Sequence, residues 1–320
     1  MTALLVDSSA PTGVPRQVRR RAGGGLWAAV RGSRKAMIGL AIFVVFAVLA
    51  AVPQLFTSVR DPNALEFEPG LGSSREHLLG TTALGQDIFA QLVYGTRQSL
   101  VIALVAGFFA TVLSVMIGVS AAYLGGLSDE ALTMLTNVFL VLPTFPLIII
   151  LATYAGKGTL PVILIVLVVT GWSYGANQLR AQTLSLRNRD FVESAKVRGE
   201  RPSYVIFREV LPTMTSLVVA NFLGAALYSV LTAAGLQFLG LGDPNSISWG
   251  TMLYWAQSQQ ALQTGLPQWS LAPGLCVALL GVSFALLNYA FDEVGNPALR
   301  PVRRPRRRRL RARRTRAGGP

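Results

Sequence analysis

Residues 191–212 read FVESAKVRGERPSYVIFREVLP, with seven charged side chains and one glycine set between long runs that carry no charge. Elsewhere the chain offers little that could make or break a covalent bond. The AGKG stretch at 155–158 has glycine where a phosphate loop needs Ser or Thr after the lysine. Two GVS triplets, beginning at Gly118 and Gly281, lack the glycine that would complete a nucleophile elbow. His77 is the sole histidine and has no ligand partner close in sequence. Cys276 is the sole cysteine, so an intrachain disulfide or a cysteine metal cluster is excluded. No catalytic residue and no metal ligand is assigned. One reading of the insert is mechanical: an elbow that docks in a partner's groove and passes on its motion. The plainer alternative is an amphipathic connector lying on a membrane.

Composition fixes the medium in which such an insert works. Of the 320 residues, 52% are hydrophobic and 14% charged, and the mean hydropathy is +0.47. Soluble domains carry about 25% charged residues, so the chain reads as a membrane protein. The net charge of +14 is terminal: residues 1–35 carry +6, residues 300–320 hold eleven arginines and no acid, and the remainder is near −3. A run such as RRPRRRRLRARRTR suits a stop signal on the cytoplasmic side or contact with anionic lipid headgroups. No aromatic-interleaved basic fold accompanies it, which argues against nucleic acid.

An apolar helix of about 20 residues crosses the roughly 30 Å hydrocarbon core. Six spans are expected, at 37–52, 100–124, 131–154, 160–177, within 210–242 and within 271–291, the third containing Pro143 and Pro146. The fold class is thus all-α, a polytopic protein of six transmembrane helices. Domain organisation follows: a basic tail over 1–35, a first span with an outer segment over 36–99, a core of five spans over 100–300, and an Arg-rich tail over 301–320. Both ends being basic places both in the cytoplasm. Segment 180–212 then falls inside, with seven basic residues between Arg180 and Arg208. None of the six runs contains Asp, Glu, Lys, Arg or His. Proton-coupled carriers need such residues as relays, so the chain reads as a transport path without its own motor.

Within the insert, 191–198 suits a short helix, Gly199 its left-handed C′ position, and Pro202 the first turn of a second helix. Glu193-Ser194-Ala195, three residues, Gly199, then Leu211-Pro212 resembles the EAA signature of ABC-importer permeases. HLLGTTALGQD (77–87) with YGTRQSL (94–100) is similar to HPLGTDxxGRD…YGxRxSL of the dipeptide, oligopeptide and nickel permeases. FLGLG (238–242), SWG (248–250) and NPALR (296–300) resemble their C-type subunit. The likeness covers roughly residues 34–300. It departs from the pattern at Ser194, where the signature has alanine, at Glu209, where histidine is common, and at Leu78, Thr82 and Gln86.

The resemblance implies a type I ABC-importer permease fold in a bacterial inner membrane. It implies a heterodimer with a homologous second permease, two ATP-binding subunits and an extracytoplasmic substrate-binding protein. ATP and Mg²⁺ would sit on the ATP-binding partners, with no cofactor in this chain, and the load would be peptides or similar small solutes. Glu193, Ser194, Ala195, Gly199, Leu211 and Pro212 would couple to the ATPases, with Lys196, Arg198 and Arg201 as loop charges. Glu193 is expected to cap the elbow or to pair with Arg198 or Arg201. Asn137, Asn221 and Gln237, with Asn177 and Asn288, are polar residues in or near spans and are candidate path-lining groups. An ion-coupled carrier or a membrane scaffold is the alternative reading.

Overall fold

A computed structural model describes residues 33–154 and 158–295. The basic tail before residue 33, Lys157, the NPALR stretch and the Arg-rich tail lie outside the described residues. Among those described there is no β-strand, only an isolated bridge between Thr81 and Asp87. Among the described residues five helical stretches, 160–186 counted as one, are long and apolar enough to cross a membrane, and the spans number six if the bent pair within 126–154 is counted as one.

The helices are α1 (Arg34–Ala51), α2 (Ile88–Leu124), α3 (Gly126–Val141), α4 (Thr144–Tyr154), α5 (Leu160–Gly171), α6 (Ser173–Leu186), α7 (Asp190–Val197), α8 (Thr215–Phe238), α9 (Trp249–Ser258) and α10 (Pro267–Gly295). Side-chain caps set several starts: Ser33 accepts from the Ala36 amide, Asp87 from Ala90, and Ser248 forms a capping box with Thr251. Each satisfies an amide that the first helical turn leaves free.

Helix α2 starts twelve residues before the apolar run that announced it. Its 37 residues span about 55 Å, well beyond a bilayer core. The extra turns are held by packing rather than by lipid. The Trp249 amide donates to Ser99 Oγ (3.1 Å) and the Trp249 indole to the Leu92 carbonyl (3.1 Å). Gly95 lies so close to Ser248 that an added Cβ would sit 3.2 Å from its carbonyl carbon. The YGTRQSL and SWG stretches are therefore two sides of one contact.

The third span, where Pro143 and Pro146 left a kink or a tolerated straight helix open, is sharply bent: α3 and α4 meet at 91°. Leu142 precedes Pro143, whose ring disfavours helical backbone at the residue before it, and Leu142 has left the helix at φ −59, ψ 134. Pro146 then sits in the first turn of α4, where its missing N–H costs little. The helices also outrun their apolar runs at the charged end of the bundle, so Asp129 and Arg180 lie on the first turn of α3 and on α6. The two meet in a bidentate pair, Nε–Oδ1 2.7 Å and Nη2–Oδ2 2.9 Å. This contact accounts for an acid in a turn on the basic side.

Small residues bring the spans together. An added Cβ at Gly107 would lie 2.8 Å from the Ala226 nitrogen, joining α2 to α8, and Gly118 abuts the Ala176 backbone of α6. Close backbone approach of this kind is how membrane helices gain packing where no hydrophobic drive exists between them. The largest core cluster groups Phe46, Trp249, Trp269, Leu280 and Phe284, tying α1, α9 and α10 to α2 and α8.

Candidate functional site

The elbow is built from its caps. Asp190 and Glu193 occupy the first turn of α7 and Lys196 its last, the signs that the helix dipole favours. Gly199 follows at φ 76, in the left-handed region where a side chain is strained. Its amide donates to the Lys196 carbonyl (2.9 Å) and that of Glu200 to Ala195 (3.2 Å), the pair of bonds that defines a Schellman stop. Arg201 is extended and Pro202 opens the next helical turn. From Val205–Val210 the backbone widens to a π-helix, with the Leu211 amide reaching Ile206. Pro212 supplies a cause: its ring crowds the carbonyl four residues back and it donates no hydrogen bond, so a wider coil relieves the contact.

One face of this elbow is anchored in the bundle. Val192, Ala195, Val205 and Val210 are fully buried with Val119 of α2 and Leu179 of α6, and Leu211 packs on the same cluster. The other face is open. Glu193, Ser194, Lys196, Arg198, Arg201 and Pro212 are exposed, and Val197 is 88% exposed at the tip. Val197 escaped notice in the sequence because an apolar residue on a short amphipathic helix reads as buried. Ser194 Oγ donates to the Asp190 carbonyl (2.7 Å) within its own helix, so serine in place of alanine is self-satisfied.

The expected ion pair of Glu193 is not present among the described residues. Arg198 instead lies 3.9 Å from both Glu200 and Glu209. Five positions along a helix rotate a side chain to a different face, whereas partners lie three or four apart. The turn at Gly199 brings Glu200 and Glu209 to Arg198 in place of Glu193. Glu209 is also one of the positions that depart from the pattern of the signature.

The polar residues of the spans separate into three places. Asn221 lines a partly open cavity of about 430 Å³ bordered by α2, α3, α4, α5, α6, α8 and α10, together with Ser114, Thr170, Ser173, Tyr228 and Asn288. Asn137 lies apart from it, in an open groove of about 660 Å³ beside Asp129 and Arg180. Gln237 borders neither: it is buried at the far end of α8, where its Oε1 accepts from Ser248 Oγ (2.8 Å). It serves the junction of the FLGLG and SWG stretches. Asn177, on α6, is exposed.

At the opposite end from the elbow, His77 Nδ1 lies 2.7 Å from Asp87 Oδ2, with both residues buried and Phe67 edge-on to the imidazole at 4.5 Å. The other Asp87 oxygen caps α2 through Ala90 (2.7 Å). His77 therefore has a partner, ten residues on, at the far end of its own motif. Among the described residues, no group of three or more His, Cys, Asp or Glu is placed to hold a metal ion.

A family model described as the inner membrane component of binding-protein-dependent transport systems matches residues 114–293. The oligopeptide transport system permease protein OppC of Mycobacterium bovis is 31% identical over 279 residues, covering 85% of this chain and 93% of that protein. The glutathione transport system permease protein GsiD of Pectobacterium atrosepticum is 32% identical over 234 residues, 72% of this chain and 75% of the relative. The dipeptide transport system permease protein DppC of Alkalihalophilus pseudofirmus is 28% identical over 273 residues, with 85% and 88% covered.

Proposed function

Because this chain belongs to the family of inner membrane components of binding-protein-dependent transport systems, we propose that its 191–212 elbow is the joint through which ATP-hydrolysing partners drive it. The chain is a permease subunit, a transport component rather than an enzyme, and contributes half of a path for peptides or similar small solutes. A second permease of the same fold supplies the other half. Two ATP-binding subunits carrying ATP and Mg²⁺ dock at the charged end, and an extracytoplasmic binding protein delivers solute at the other. Both termini are cytoplasmic in this arrangement, as the charge bias of the loops supports.

The observation that carries the reading is the division of the elbow into an anchored face and an open face. Val192 and Ala195 are buried against α2 and α6, so a push on α7 is delivered to the bundle. Exposed Val197, flanked by Glu193, Lys196 and Arg198, is shaped as an apolar knob with a charged rim. That is the common anatomy of a protein docking site. Asn137 supports the second permease: an exposed amide on α3 is costly against lipid and needs a partner or a watered path.

The test uses the complete importer reconstituted in vesicles. Val197→Asp and Glu193→Lys are expected to leave insertion of this chain intact while lowering solute-stimulated ATP hydrolysis and uptake together, by about tenfold or more for the Val197 knob. Wild-type coupling in both variants would exclude the elbow as the joint.

A further inference from the structure

The 430 Å³ cavity is a partly open hollow between the helices of this chain, with polar groups set among apolar ones. Resting on the permease reading, we propose that it is a solute-binding site that holds peptide amide groups through uncharged hydrogen bonds, with Asn288, Asn221 and Tyr228 as its contacts. Its volume falls in the range of small-ligand pockets, about 300–1,000 Å³.

Its lining is hydroxyls, amides, aromatic and aliphatic groups, with no Asp, Glu, Lys, Arg or His among the described residues that border it. Amides and hydroxyls both donate and accept, which matches the alternating N–H and C=O of a peptide backbone. Part of that capacity is unused. Among the described residues the buried Asn288 Oδ1 has no hydrogen-bond partner, an expensive state unless another group supplies the bond. Its Nδ2 lies against Gly224, where an added Cβ would stand 3.4 Å away. Asn221 commits one donor to the Leu217 carbonyl (3.2 Å), and Tyr228 reaches Thr170 only at 3.4 Å.

A second observation points to the same place. The break between α3 and α4 borders the cavity through Leu140 and Thr144. The last carbonyls of a helix lack partners within it. At membrane depth such backbone is tolerated where protein or a water-filled cavity receives it, and broken helices are where transporters place substrate. The charged pair Asp129 with Arg180 is satisfied bidentately and borders a different groove. A site so lined holds the backbone of a short peptide and does not read the charge of its side chains.

The experiment measures ATP-driven uptake of Ala-Ala-Ala, Ala-Lys-Ala and Ala-Glu-Ala by the complete importer in vesicles. Asn288→Asp places a carboxylate in a low-dielectric chamber, where a unit charge discriminates strongly. The ratio of Lys- to Glu-peptide uptake is expected to rise by about tenfold over wild type. Asn288→Leu is expected to lower all three rates by a similar factor. Unchanged rates and an unchanged ratio in Asn288→Asp would overturn the proposal. Should that variant fail to assemble, Tyr174→Cys decides, since Tyr174 lines the cavity and is 67% exposed. Ala-Ala-Ala is expected to slow alkylation of the thiol at this position severalfold, and unaltered labelling would sink the site. Wild-type uptake with unaltered labelling removes only this inference, whereas absence of ATP-dependent uptake by the wild-type complex removes the permease reading beneath it.

Discussion

Gly199 is where the elbow is most open to a graded test. Its φ of 76 lies in the left-handed region, and a Cβ added there meets no atom of the described residues within 4 Å. Against those residues a side chain at 199 therefore carries a backbone penalty and no clash. For alanine that penalty is roughly 1–2 kcal/mol, a factor of about 5–30 in the population of the turn. Asparagine tolerates the conformation, and a β-branched residue is worse than alanine. Gly199→Asn should thus stay near wild type, Gly199→Ala should open the turn about fivefold more often, and Gly199→Val about thirtyfold. Hydrogen exchange at the Glu200 amide reads this directly, because its bond to the Ala195 carbonyl exists only while the turn is closed. Solute-stimulated ATP hydrolysis in the reconstituted importer should fall in the same order. The reasoning is refuted if the valine variant couples normally. It is equally refuted if asparagine is as damaging as valine, since the defect would then come from side-chain bulk at a docking surface and not from the backbone.

Two further predictions concern the ends of the bundle. The Asp129–Arg180 pair is mostly shielded, with side-chain exposures of 18% and 26%, so a double-mutant cycle with Asp129→Asn and Arg180→Gln should yield a coupling energy of about 1 kcal/mol or more, measured by thermal unfolding in detergent. A value near zero would mean that α3 is not tied to α6 by this contact. At the other end, Asp87→Ala removes a helix cap and strands buried His77, and should cost about 2 kcal/mol with faster hydrogen exchange at 88–91. Asp87→Asn keeps the cap and should cost less, and equal losses would deny the cap any separate role.

What was legible in the sequence and what was not divide along the range of the forces involved. The Gly199 stop, the Pro202 start and the limits of α8 between Pro212 and the 238–242 glycines all depend on backbone chemistry within a few residues, and the structure has them where the residue types put them. The early start of α2 was hidden because hydropathy marks only the part of a helix that lipid touches. The turns from Ile88 to Ser99 are held by Trp249, some 150 residues away. The signal that could have found them was Asp87, an N-cap residue ahead of a helix-forming run. Pro143 announced a disturbance in the third span but not its 91° angle, which the surrounding helices determine.

The interior cavity is the extreme case of this division, and its invisibility has a physical reason. Ser114, Thr170, Asn221 and Asn288 are each unremarkable alone, since an amide or hydroxyl in a membrane helix most often bonds to its own backbone or to a neighbour for a modest gain. Thr170 does this, donating to the Val166 carbonyl at 2.9 Å, and Asn221 does so with Leu217. What separates a path from a set of internal bonds is the surplus left when the helices have packed, and that surplus exists only after four distant segments meet. Gly175 makes the point sharply. An added Cβ there would fall 2.7 Å from both Asn221 Oδ1 and Ser114 Oγ, so only a glycine lets polar atoms of two other helices pack this closely on α6. A glycine in a membrane helix is read from sequence as a packing residue. Here the close approach it permits seats Asn221 Oδ1 of α8 against α6 and lets Ser114 Oγ of α2 reach the Trp172 carbonyl at 2.6 Å.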